Sequence, residues 1–160
     1  MNEWDDLFVA TAGASAALTG LIFVGVSINL SRILAYANLP NRALLSLILL
    51  GTILIFSIFM LIPDQSLIAA GIETLFVGVC AWLFILFIDI SIIKKTNKEY
   101  KRASNFNMLF DQLAVLPYLI AAIFFFFGDE HGVYFIVAAF IISIIKAMTD
   151  AWVLLIEINR

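Results

Sequence analysis

Few residues of this 160-residue chain could take part in chemistry, and several of the ionisable ones lie inside long apolar segments. Lys146 and Asp150 are four residues apart, so they would share one face of a helix and could form an ion pair. Glu73 lies near the start of another apolar segment. An ionisable residue inside a bilayer is costly and usually has a partner or reaches water. The sequence therefore predicts three intramembrane charges, Glu73, Lys146 and Asp150.

Each of these charges has two interpretations. Lys146 and Asp150 could simply neutralise one another, or they could line an aqueous path or a proton relay. Glu73 could lie at headgroup level beside a helix start, or it could form a cation-selecting ring in an oligomer.

Three further acidic residues, Asp89, Asp111 and Glu157, lie within a turn or two of the ends of apolar segments. Several lysines and an arginine lie nearby, in residues 94–102. Ordinary ion pairs with these basic residues at the membrane face are the expected role of the three carboxylates.

The groups needed for catalysis do not come together in this sequence. The only cysteine, Cys80, lies in an apolar segment, whereas the only histidine, His131, lies in a polar turn. A catalytic nucleophile needs a base within reach. The sequence has no zinc-ligand spacing, phosphate-binding loop or dinucleotide motif. We predict no catalytic residues, no metal site, no cofactor and no enzymatic activity.

The composition indicates that lipid is the solvent for much of the chain. Hydrophobic residues make up 64% of the sequence, charged residues make up 13%, and the mean hydropathy is +1.09. Soluble domains are about half apolar and about a quarter charged. The formal net charge of −3 gives no indication of a nucleic-acid partner. The expected main partner is the lipid bilayer.

Five apolar segments are long enough to cross a bilayer as helices, and polar turns separate them. We predict a single all-α integral membrane domain over residues 1–160. The predicted spans cover about 7–31, 42–62, 67–93, 106–127 and 133–158.

The basic residues predict the direction of the chain. Every lysine and arginine except Lys146 lies in or beside the loops after spans 1 and 3, or at the C-terminal end. Loops rich in lysine and arginine stay in the cytoplasm. We therefore predict an N-terminus outside and a C-terminus in the cytoplasm.

The first span is built of small residues in its outer half. Nothing in Ala10–Ala17 is larger than threonine. Small residues let membrane helices approach closely. The predicted helix-packing positions are Gly13, Ala16, Ala17 and Gly20, and the first span should be surrounded by other helices.

Residues at four-residue steps form a second pattern on this span: Thr11, Ser15, Thr19, Phe23 and Ser27. In a ring of such helices the hydroxyl groups would line a pore, and Phe23 would form an apolar constriction. On a straight helix the row drifts by about 40° at each step. The alternative is that the hydroxyl groups bond to their own helix or to a neighbour.

The stretch ATAGASAALTGLIFVGVSINL at residues 10–30, followed by LPNRAL at residues 39–44, resembles a family of small bacterial membrane proteins of unassigned function. The resemblance extends over essentially the whole chain. It implies a multi-pass protein of the bacterial plasma membrane, and it brings no established chemistry.

From these patterns we predict a homo-oligomeric membrane pore or ion-channel-like protein with its first helix near the central axis. Two alternatives stay open. One is a non-conducting adaptor or sensor that binds another membrane protein through the small-residue face. The other is a carrier of a small solute, built around Lys146 and Asp150.

Overall fold

A computed structural model describes residues 4–158, and every regular element in that range is helical. The helices are α1 (Asp5–Ile28), α2 (Leu30–Leu34), α3 (Leu39–Met60), α4 (Leu67–Lys95), α5 (Lys101–Phe126) and α6 (Gly132–Ile158), with a 3₁₀ turn at Lys98–Tyr100. All except the short α2 are long and apolar enough to cross a membrane. The prediction of an all-α fold with five such helices is confirmed, whereas the direction of the chain stays a prediction.

The first predicted span is interrupted near its end. Helix α1 stops at Ile28, and Asn29 separates it from α2. The Asn29 side-chain amide donates a hydrogen bond to the Gly25 carbonyl at 3.0 Å. Side-chain bonds of this kind offer the backbone an alternative to a continuous helix. Helix α2 is therefore a separate turn, and its Ile33 packs in a small cluster with Leu39 and Leu154.

The turns before α4 and α6 have local causes in the sequence. Ser66 caps α4, because its hydroxyl oxygen accepts a hydrogen bond from the Ala69 amide at 3.2 Å. Gly128 follows α5 with a φ of 75°, a left-handed conformation that glycine adopts readily at helix ends. Asp129 accepts a hydrogen bond from the His131 amide at 2.9 Å. That bond, helped by the His131 side chain, holds the pKa of Asp129 below its usual range.

Helices α3, α4, α5 and α6 pack into a ring around one core. Helix α4 lies against α5, α5 against α6, and α3 against both α6 and α4. Large side chains from all four helices are fully buried between them: Leu49, Leu50, Ile53, Phe56, Ile85, Val115, Tyr118, Phe125 and Ile136. The four-helix ring is therefore the part of the protein that can enclose a site.

Helix α1 lies outside this ring, so within one copy of the chain the other helices do not surround the first span. It packs along α3, and it touches α6 through Trp4 on Tyr134 and Phe8 on Phe140. Among the described residues of α1, only Phe8 and Ser15 are buried. The side chains of α1 in the stretch Ala10–Ala17 are small, so they contribute few atoms to a core. Bulkier residues from the other helices fill the core instead.

The two ends of the bundle differ in charge. At one end, the acidic end, Asp5, Asp64 and Glu130 line a shallow cleft of about 240 Å³. At the other end, the basic end, Arg42 from the start of α3 and Lys95 from the end of α4 line a larger cleft.

Gly132 provides a test of the close packing between α5 and α6. A Cβ atom at Gly132 would lie 2.8 Å from the Ala121 carbonyl oxygen and 2.8 Å from a ring carbon of Phe125. We expect Gly132→Ala to lower the free energy of unfolding by about 1–3 kcal/mol, because the added methyl group overpacks this contact. Thermal unfolding in detergent measures the change. Gly13→Ala is the matched control, since a Cβ there meets nothing within 4 Å, and equal losses in both variants would contradict the packing.

Candidate functional site

Lys146 lies near the middle of α6, with its side chain directed into the ring. The residue is 6% exposed. Its ammonium group donates a hydrogen bond to the Asp150 carboxylate one turn further along α6, as the four-residue spacing predicts. Lys146 Nζ is also 3.2 Å from Asp111 Oδ1 on α5. The lysine therefore joins two carboxylates that belong to different helices.

Asp89 on α4 completes this group. Asp89 and Asp111 are 4% and 1% exposed, so the prediction of ion pairs at the membrane face is wrong for both. They face the core because each lies on the inner side of its helix, next to buried residues such as Ile88 and Ala114. The side chain of Glu157 lies outside the described residues. We refer to Asp89, Asp111, Lys146 and Asp150 as the Asp–Lys cluster.

A hydrogen-bonded chain orients Asp89. The Trp82 indole N–H donates to Gln112 Oε1 at 2.7 Å, and Gln112 Nε2 donates to Asp89 Oδ2 at 3.3 Å. Trp82 and Asp89 are on α4, whereas Gln112 is on α5. These two hydrogen bonds therefore link α4 to α5, and they supply a donor to one carboxylate of the cluster.

The cluster has more carboxyl groups than cations. Three aspartates lie around one lysine, and a second cation, Arg42, lines the same small cavity as Asp89, Lys146 and Asp150. Even with Arg42 counted, three carboxylates exceed two cations. An unbalanced charge is very unfavourable in a buried setting. The buried cluster therefore has a surplus of carboxyl groups over cations.

A small cavity lies beside the cluster, on the side of the basic end. It has a volume of about 10 Å³, which is room for about one water molecule. Arg42 and Ser104 line both this cavity and the larger cleft of about 410 Å³ at the basic end. Arg42 and Ser104 are therefore all that the two spaces have in common among their described lining residues.

On the other side, aromatic rings close the bundle. Tyr118 stacks on Phe56 with ring centroids 4.1 Å apart, and it also contacts Phe140 at 6.2 Å. Phe8 of α1 lies against Phe140 at 6.3 Å. These four rings form an aromatic layer between the cluster and the acidic end. The cluster therefore lies between the cleft at the basic end and this aromatic layer.

The predicted pore-lining residues of α1 do not share one line. The Thr11 hydroxyl oxygen is 2.8 Å from the Ser57 hydroxyl oxygen of α3, and it also donates a hydrogen bond to the Phe8 carbonyl. Ser15 is buried. The Thr19 hydroxyl donates to the Ser15 carbonyl at 2.7 Å. Phe23 and Ser27 are exposed. The row begins against α3 and turns away from it, because a straight helix rotates by about 40° over four residues.

The predicted helix-packing residues of α1, which are Gly13, Ala16, Ala17 and Gly20, are all exposed. Nothing lies within 4 Å of a Cβ built at Gly13 or Gly20. Within one copy of the chain, this small-residue face therefore has no helix against it.

Glu73 is not part of the cluster. It lies in the first half of α4, half-buried, and accepts a hydrogen bond from the Gln65 side chain at 2.5 Å. Sixteen residues separate it from Asp89, which is about 24 Å along a helix. Within residues 4–158, no group of three or more histidine, cysteine, aspartate or glutamate side chains could hold a metal ion.

No family model, curated protein or solved structure matches this chain. The resemblance to small bacterial membrane proteins stays a prediction. The class that the fold defines is a helical bundle with five helices able to cross a membrane and an Asp–Lys cluster buried inside it.

Removing the lysine tests the charge balance. We expect Lys146→Met to lower the free energy of unfolding by about 3–5 kcal/mol at neutral pH, because buried carboxylates lose their partner. The loss should shrink as pH falls, since the folded variant then holds more protons than the unfolded chain. Unfolding in detergent at pH 5 and pH 7.5 measures both effects.

The double variant Lys146→Met, Asp111→Asn should recover part of the lost stability, because one surplus carboxylate has also been removed. Lys94→Met, at an exposed position of α4, is the control. A Lys146→Met loss that is the same at both pH values would contradict a charge origin.

Proposed function

We propose that this protein is a small membrane transporter that moves a solute together with protons, with the Asp–Lys cluster as its proton site. The observation that carries the proposal is the surplus of buried carboxyl groups around Lys146. Ionisable groups inside membrane bundles commonly mark ion or proton pathways. Here they lie in the four-helix ring, where a path through the protein would run.

A proton suits this cluster better than a metal ion. The three aspartates are spread over α4, α5 and α6, and Lys146 lies among them. The ammonium group already occupies the position that a bound metal cation would need. A proton needs only one carboxyl oxygen, and its arrival would leave Lys146 paired with the remaining carboxylates.

The position of the cluster supports a carrier in which the two sides open in turn. The cavity beside the cluster shares Arg42 and Ser104 with the cleft at the basic end, and the aromatic layer lies on the other side. By the positive-inside rule the basic end faces the cytoplasm, in the multi-pass plasma-membrane setting that we predict. Release toward the acidic end would require Phe56, Tyr118 and Phe140 to separate.

Asp111 is the residue with which to test proton movement. It is the most buried carboxyl of the cluster, and its carboxyl oxygen contacts Lys146 from across the helix interface. We expect Asp111→Asn, which keeps the size of the side chain, to reduce solute-driven proton movement by about 100-fold. The measurement uses proteoliposomes that contain a pH-sensitive dye, with a panel of small anions, cations and neutral solutes added outside.

Asp129→Asn is the control, because Asp129 lies in the turn before α6, far from the cluster along the chain. It should leave proton movement unchanged. If no solute moves protons through the wild-type protein, or if Asp111→Asn is as active as wild type, the proposed function is wrong.

A second candidate function rests on the exposed small-residue face of α1, and it keeps the homo-oligomer that the sequence predicts. Close approach of α1 helices from several copies would cover Gly13, Ala16, Ala17 and Gly20. A pore along that axis would be lined by these small residues and not by the hydroxyl groups, which bond within the chain. The same face suits an adaptor that binds another membrane protein.

Subunit counting tests this second candidate. We expect native mass spectrometry from nanodiscs to show an oligomer that Ala17→Leu converts to monomers, because the larger side chain prevents close approach. Ala138→Leu, at an exposed small residue of α6, should leave the subunit number unchanged. A monomeric wild-type protein would contradict assembly through α1, and it would leave the carrier as the function that the structure supports.

A further inference from the structure

The cleft at the basic end has the size of a ligand site. Its volume is about 410 Å³, within the range of about 300–1,000 Å³ usual for small-molecule pockets. Four segments form it: the loop after α2, the start of α3, the end of α4 and the start of α5. The lining residues that matter here are Asn38, Arg42, Lys95, Thr96 and Ser104. We call this space the basic cleft.

The chemistry of the basic cleft suits an anion. Arg42 and Lys95 supply two positive charges, and no acidic side chain is among the described lining residues. The remaining polar groups are amides and hydroxyls, which can donate hydrogen bonds. A guanidinium group presents a planar fork of donors that matches the oxygens of a phosphate or carboxylate.

The walls of the cleft are tied together. Asn38 Nδ2 donates to Thr96 Oγ1 at 3.2 Å, and the Thr96 hydroxyl donates to the Ile92 carbonyl at 2.7 Å. These bonds hold the start of α3 against the end of α4, so the elements that carry Arg42 and Lys95 are held in place before a ligand arrives.

We propose that the basic cleft binds a phosphate group in its dianionic form, and that Arg42 couples this binding to the Asp–Lys cluster. The two cations Arg42 and Lys95 match the two negative charges of hydrogen phosphate. The inference rests on the proposed transport function, because it names the solute that protons accompany.

Arg42 provides the coupling because it lines both the basic cleft and the cavity of the cluster. When phosphate engages the guanidinium group, the three carboxylates of the cluster keep only Lys146 as a balancing cation. The cluster then takes up a proton more readily. By linkage, a proton on the cluster strengthens phosphate binding to the same degree. Anion and proton would therefore load together.

The test is equilibrium binding of radiolabelled inorganic phosphate to the full chain in nanodiscs. Wild-type protein should bind phosphate saturably. Arg42→Gln and Lys95→Gln should each weaken binding by about tenfold or more, because each removes a charge-assisted contact. Lys94→Gln is the matched control, since Lys94 is the exposed neighbour of Lys95 and does not line the cleft. It should bind like wild type.

Neutralising the cluster tests the coupling at constant pH. Asp150→Asn removes a negative charge from the cavity that Arg42 lines, so phosphate affinity should rise by about threefold or more. Unchanged or weaker binding in this variant would overturn the coupling.

A lipid headgroup with a phosphate monoester shares this chemistry with free phosphate. Nanodiscs of phosphatidylcholine alone and nanodiscs with added phosphatidic acid distinguish the two sources. Phosphate binding in both supports free phosphate as the solute. Binding that phosphatidic acid abolishes assigns the phosphate site to a lipid and overturns the solute role.

The two proposals can fail separately. Absence of saturable binding, or equal binding by Arg42→Gln and Lys94→Gln, overturns the phosphate site even if Asp111 supports proton movement with another solute. Arg42-dependent phosphate binding without any proton movement keeps the site and overturns the transport function. Should Arg42→Gln fail to fold, Lys95→Gln at the exposed end of α4 still decides the outcome.

Discussion

The ammonium group of Lys146 lies where a bundle of apolar helices has no bulk water to solvate it, and the arrangement of the ring follows from that constraint. One carboxylate would balance the charge, and Asp150 on the same helix supplies it. The structure instead brings Asp111 from α5 and Asp89 from α4 to the same place. Burying charges in a low-dielectric interior rarely stabilises a fold beyond what apolar side chains would achieve. The surplus carboxylates are therefore better explained by the proposed proton site than by a contribution to stability.

The membrane setting also explains why α1 packs differently from the other four long helices. Large side chains of α3 to α6 interlock in the ring and hold the polar cluster, whereas α1 lies against α3 with small residues on its open face. Lipid tails are as apolar as leucine, so burial from water does not drive helices together within the bilayer. Packing contacts and hydrogen bonds such as the one between Thr11 and Ser57 take that role. A helix of small residues can then stay at the periphery of one copy and still be suited to close contact with another.

The parts of this structure that sequence reasoning predicted are those with a local cause. Five long apolar runs separated by polar turns predict five helices, and Lys146 and Asp150 pair because their spacing matches one helical turn. The roles of Asp89 and Asp111 depend on contacts between helices distant in sequence. Position along the helix predicts that each lies near the membrane face. The orientation of each side chain about the helix axis, which the sequence does not give, places it in the core instead. One available signal was the polar neighbour Gln112, since amides and carboxylates that share a buried face satisfy one another.

The row of hydroxyls on α1 predicts one pore-lining face, but the structure places these residues on different sides of the helix for a related reason. A four-residue step looks like a line in the sequence, but it follows a line on a helix only if that helix is wound around its neighbours. Ser15 is buried against α3 while Phe23, two steps further on, is exposed. The side of a helix that is covered depends on what it packs against, and α1 packs mainly along a single partner.

The bond between Trp82 and Gln112 has a consequence for the symmetry of the cluster. An indole can only donate, so it fixes the direction of the Gln112 amide and excludes the flipped form. The NH₂ group of the amide must then point at Asp89. The three carboxyl groups are consequently not equivalent: Asp89 faces the amide donor of Gln112, whereas Asp111 and Asp150 contact the Lys146 ammonium group. The Trp82 indole of α4 thus makes the Asp89 environment different from that of the other two carboxyl groups.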